Sequence, residues 1–197
     1  MRRALIVLLS ITAVFAVDKK PGFAPEPASS YPGHKTQEKI TIAAKPYNTA
    51  ELAATAFGKV KPHERGVLPV LVVMQNDTGK ALALNLKAEF VTADGKHLEA
   101  MTPDDVIRFE AIRQRPGTKT ATQRLPGVRT PKKGPLNTPE IEGRAFLMKL
   151  LPPGETAKGF VYFEADEVKG AQLYLTGIKD AATNQPYFYF EIPLDAR

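Results

Sequence analysis

A chain of 197 residues, 43% of them hydrophobic, is long enough for one domain with its own apolar core. It has no cysteine, which excludes disulfides, thiolate metal sites, cysteine nucleophiles and the acylated cysteine of a lipoprotein. Its formal net charge of +6 is local: residues 108–133 hold eight Arg and Lys against Glu110 alone, and without these and Arg2 and Arg3 the chain has 17 basic and 20 acidic side chains.

Met1-Arg2-Arg3 precedes an apolar run at residues 4–17, interrupted only by Ser10 and Thr12. This is the form of an export signal, with Val14-Phe15-Ala16 offering a cleavage site after Ala16. A spanning helix needs roughly 20 apolar residues, so the run predicts a removable signal peptide over 1–16 and no transmembrane segment in the mature chain. The expected location is periplasmic or secreted, in a bacterium. Residues 17–38 contain Pro21, Pro25, Pro27 and Pro32 and read as a flexible tether, which places the domain at 39–197.

Ile40 and Ile42 alternate with smaller residues and predict a short strand. Residues 49–57 predict a helix, with Thr49 as cap and Gly58 as stop. Residues 67–75 are apolar on both parities, the pattern of a strand covered on both faces. After the turn residues Asn76-Asp77-Thr78-Gly79-Lys80, Leu82, Leu84, Leu86 and Phe90 alternate with polar positions, so the two segments read as a β-hairpin. Asp94-Gly95 is a further turn, and residues 103–107 suggest one helical turn.

Residues 114–140 interrupt this pattern with five prolines, three glycines and no aromatic side chain, and predict a long disordered basic insertion. Residues 145–151 read as a strand stopped by Pro152-Pro153-Gly154. Strands at 159–165, 172–178 and 186–193 then follow at intervals of about a dozen residues, as in an immunoglobulin-like antiparallel β-sandwich. The expectation is therefore a mostly β domain with one short helix.

Two stretches carry a resemblance. Gly66-Val67-Leu68-Pro69-Val70 running into Gln75-Asn76-Asp77, and Leu151-Pro152-Pro153-Gly154-Glu155 followed by Gly159-Phe160-Val161-Tyr162-Phe163, resemble uncharacterised signal-peptide-bearing bacterial envelope proteins. The second also resembles the Pro-Gly-Glu turn and strand of immunoglobulin-like domains in exported proteins. The resemblance implies a fold and no catalytic residue.

Serine occurs only at Ser10, Ser29 and Ser30, outside the expected domain, which disfavours a serine nucleophile held in place by a fold. His34, His63 and His97 lack ligand spacing, and neither a calcium loop nor a phosphate-cradling glycine loop is present, so no metal and no cofactor is expected. Asp104 and Asp105 read as capping or turn-forming residues rather than a catalytic pair.

Two features point to binding. If Val161, Phe163, Leu173, Leu175, Phe188, Phe190 and Ile192 face the core, alternation sends Phe160, Tyr162, Tyr174, Tyr187 and Tyr189 to the opposite face, an aromatic docking surface unless the helix or the insertion covers it. The basic loop of Arg113, Arg115, Lys119, Arg124, Arg129, Lys132 and Lys133 suits an acidic lipid or polymer; export and the lack of interleaved aromatics argue against nucleic acid. The leading expectation is a non-enzymatic envelope module for a protein or polymer partner. The alternatives are this basic-loop binder and a carboxylate enzyme using Glu89, Asp104 or Glu164 on a cell-wall or exported substrate.

Overall fold

The computed structural model describes residues 23–113, 136 and 138–196. The expected signal peptide lies outside them, as does the expected insertion except for Leu136 and residues 138–140. The elements are β1 (His34–Gln37), β2 (Ile40–Pro46), α1 (Ala50–Phe57), β3 (Leu68–Asn76), β4 (Leu82–Val91), β5 (His97–Glu99), α2 (Pro103–Arg113), α3 (Pro139–Gly143), β6 (Leu150–Leu151), β7 (Thr156–Phe163), β8 (Gln172–Asp180) and β9 (Phe190–Pro193). They form two antiparallel sheets, one ordered β1-β2-β3-β7 and the other β5-β4-β8-β9, with β6 also on β4. No helix of the described residues is long and apolar enough to cross a membrane.

The sheets pack face to face. Ile40, Ile42, Val70, Val72, Met74 and Phe163 of the first sheet meet Leu82, Leu84, Phe90, Leu173, Leu175 and Ile192 of the second in one buried cluster. The outward face of the first sheet is covered too: Ala43, Leu71, Val73, Phe160 and Tyr162 are buried with Phe57 of α1, Val106 of α2, Ile141 of α3 and Tyr31. This double cover explains why β3 is apolar on both parities, whereas β4 alternates and faces solvent on one side. Burying a large apolar side chain is worth about 1.5–3 kcal/mol, so the second layer contributes to stability on the scale of the first.

The local signals for α1 hold. The Thr49 side chain accepts from the Leu52 N–H, and the Gly58 N–H closes the helix on the Ala54 carbonyl at φ 62°. Asp105 takes part in the cap of α2, whose N-cap is Thr102. Thr102 N–H and hydroxyl donate to its carboxylate while its N–H donates to the Thr102 hydroxyl, a reciprocal box that starts a helix much longer than one turn.

Several expectations are corrected. Residues 23–38 are not a tether: Ala28 and Tyr31 are buried, Phe23 packs on Tyr47 and Phe160, and β1 pairs with β2, so order begins well before Lys39. Ser29 and Ser30 accordingly lie in an ordered turn. β3 and β4 are not a hairpin: β3 lies between β2 and β7, β4 beside β8, and residues 77–81 cross from sheet to sheet. Buried Asn76 fixes that crossing, donating from Nδ2 to the Lys80, Leu151 and Pro152 carbonyls while its Oδ1 accepts from Thr78. The last three strands are likewise divided, β7 in the first sheet and β8 and β9 in the second. Residues 145–151 form a strand only at Leu150–Leu151, preceded by a single bridge from Ala145 to Phe160. That segment approaches β7 so closely that a Cβ on Gly159 would lie 2.6 Å from the Phe146 Cα. The described part of the expected insertion ends in α3, anchored by buried Ile141.

Candidate binding surface

The five predicted aromatic residues separate between the two sheets. Strand alternation in β7 does turn Phe160 and Tyr162 away from Val161 and Phe163, but both are 1% exposed. Phe160 packs against Phe57, Tyr47 and Phe23 at ring-centre distances of 4.8, 4.9 and 5.4 Å. The Tyr162 hydroxyl donates to the Ile141 carbonyl at 2.7 Å, and burial pushes its pKa far up. These two residues fasten the helices to the first sheet and are removed from the docking surface.

Tyr174 and Tyr189 remain together on the outward face of the second sheet, their ring centres 5.2 Å apart and their planes 32° from parallel. Tyr174 also meets the edge of the His97 ring at 6.4 Å, and His97 Nδ1 lies 2.6 Å from Glu89 Oε2. Register places Glu99, Glu89, Tyr174 and Glu191 in one row across β5, β4, β8 and β9. On this face Asn85, Lys87, Glu99, Gln172 and Glu191 are exposed, and Glu89 and Tyr174 are half-buried.

Tyr187 and Phe188 exchange their expected roles. The chain leaves the ladder after Asp180, with Asn184 at φ 59°, and returns through a single bridge from Pro186 to Lys179. A proline supplies no N–H to a ladder, and regular pairing resumes only at Phe190. Over the irregular stretch Tyr187 turns toward the inter-sheet core, its N–H donating to the Ile178 carbonyl, while Phe188 is 71% exposed. Period-two reading failed here, and Gln185-Pro186 was the available warning.

Phe188 stands as a ridge between two shallow grooves. One, of about 300 Å³, is lined by Lys35 and Gln37 of the edge strand β1 and by Tyr189 and Glu191. The other, of about 200 Å³, contains Lys80 and Asp180. The Asp180 carboxyl is held down to about 2, first by the Thr183 N–H, then by the Lys80 ammonium at 3.0 Å and the Ala182 N–H.

The other sequence candidates fall elsewhere. Arg115, Lys119, Arg124, Arg129, Lys132 and Lys133 lie outside the described residues, and Arg113 ends α2. Glu89, Asp104 and Glu164 stand on separate elements: Glu89 within β4, Asp104 in the first turn of α2, and Glu164 just after β7. No group of three His, Asp or Glu side chains among the described residues is arranged to hold a metal ion. Compared with known proteins, the chain matches no family model and no curated protein.

Proposed function

We propose that this chain is an exported, non-enzymatic envelope module that docks a partner protein through Tyr174, Phe188 and Tyr189. The observation that carries the reading is the side-by-side exposure of Phe188 and Tyr189, at 71% and 49%, next to the Tyr174 ring. Rigid aromatics offer large contact area at small conformational cost and are the usual anchors of protein interfaces. The grooves on either side of Phe188 supply relief for a partner side chain.

The fold reading within this proposal is immunoglobulin-like. Its support is the strand order: β2-β3-β7 against β5-β4-β8-β9 follows the A-B-E against C′-C-F-G pattern of such sandwiches, with β3 and β4 on opposite sheets. Export rests on residues 1–17, whose charged start and short apolar run are those of a signal peptide.

The test is site-specific photo-crosslinking in the envelope of the producing cell, with the photoreactive residue at position 188, 189 or 174, and at 160 as a buried control. A discrete partner band from the first three positions, lost in the variant carrying Tyr174→Ala, Phe188→Ala and Tyr189→Ala, is the expected result. Equal crosslinking from position 160, or a partner retained by the folded triple variant, overturns the proposal.

A further inference from the structure

On the outward side of the first sheet, away from Tyr174 and Tyr189, Arg144 leaves the end of α3 with its guanidinium 4.8 Å from the centre of the Phe23 ring. That ring is itself fixed against Tyr47 and Phe160. In front of it lies a groove of about 480 Å³, lined by Phe23, Glu140, Arg144, Ala145, Lys158 and Gly159 among others. Its volume falls in the range of small-molecule sites. Lys158 shares the outward face of β7 with Phe160 and Tyr162 and is exposed.

The charges in this groove are unbalanced. It is lined by two cations and one carboxylate, and among the described residues neither Arg144 nor Lys158 is in an ion pair; Glu140 is paired with neither. Stacking on an aromatic face orients a guanidinium while leaving its in-plane N–H donors free, the fork that grips a carboxylate or phosphate with two bonds. Phe23 and Ala145 give the groove an apolar wall beside this donor, and Gly159 adds backbone alone. We propose that the groove is a binding site for a small oxyanion carried on a ring, such as a sugar acid, with the anionic group at Arg144 and Lys158 and the ring against Phe23 and Ala145. This site is independent of the docking surface on the second sheet.

The experiment uses the full chain labelled with nitrogen-15 and titrated separately with glucuronate, inorganic phosphate and phosphatidylglycerol vesicles. Saturable amide shifts at Gly143, Ala145 and Gly159 with glucuronate are expected, weakened about tenfold or more by Arg144→Gln and by Lys158→Gln and strengthened by Glu140→Gln. Phosphate should shift the same amides more weakly, since it lacks the ring. If Arg144→Gln disturbs α3, the exposed Lys158→Gln variant keeps the test decisive. Shifts confined to residues 108–133, affinity unchanged in Lys158→Gln, or binding to vesicles alone would each overturn the assignment.

Discussion

Replacing Asn76 tests the account of how the chain crosses between its sheets. The residue is fully buried, and its Nδ2 lies 2.7 Å from the Lys80 carbonyl and 3.0 Å from those of Leu151 and Pro152. In Asn76→Ala the Lys80 carbonyl keeps the Thr78 hydroxyl, the Pro152 carbonyl keeps the Glu155 N–H, and the Leu151 carbonyl keeps its ladder partner Leu82, so no acceptor is stranded. About 1 kcal/mol for the lost bonds to the three carbonyls, with about 1 kcal/mol for the lost bonds from the Thr78 N–H and hydroxyl, gives an expected loss of about 2 kcal/mol. Urea unfolding should show a lower midpoint with an unchanged slope. Asn76→Asp keeps the shape but turns carboxylate oxygen toward carbonyls and raises its folded pKa. A raised pKa means that the stability is present at low pH and lost as pH climbs above about 4, the unfolded value. This variant should therefore approach the wild type near pH 4 and fall well below it at pH 7. Asn76→Asp with a wild-type midpoint at pH 7 would refute the reasoning.

Three further outcomes are expected. The Asp180 carboxyl is held at about 2, below its unfolded value, so its contribution is present above about pH 4 and is lost as pH falls toward 2; thermal melts of Asp180→Asn should lack that part of the acid slope. Gly159→Ala forces the chain at Phe146 away from β7 and should cost about 2 kcal/mol or more by chemical denaturation, whereas alanine at Gly143, which has open space around it, should cost far less. Glu38 and Lys39 form the β1–β2 turn at φ 47° and 62°, a conformation that side chains tolerate poorly, so Glu38→Asn with Lys39→Gly should stabilise the protein by about 1–2 kcal/mol and raise its melting temperature.

The candidate surface was legible in part. Alternation correctly set Tyr174 opposite Leu173 and Leu175, and Phe160 and Tyr162 opposite Val161 and Phe163, because side-chain direction along a regular strand is a local property. Whether a face is then covered depends on elements far away in sequence. Phe160 and Tyr162 disappear beneath Phe57, Ile141 and Phe23, from three separate segments, whereas Tyr174 stays half-exposed beside Tyr189. Phe188 shows the other limit: it lies among three residues off the ladder, between the Pro186 bridge and Phe190, where the parity on which its placement relied does not hold.

What the sequence determined by itself is what short-range physics decides: the helix capped by Thr49, a strand at β3 covered on both sides, the turns around Asn76 and Asp94, and the confinement of the positive charge to residues 108–133. Only the tertiary structure decided that β3 and β4 belong to different sheets, that residues 23–38 join the fold, and that Arg144 and Lys158 line one groove beside Phe23. A turn sequence stipulates a reversal without stating which strand receives its edge. A Pro-rich segment that buries little alone becomes ordered once Tyr47 and Phe160 offer it an apolar wall. Both outcomes depend on free energy shared between distant residues, which no window of sequence contains.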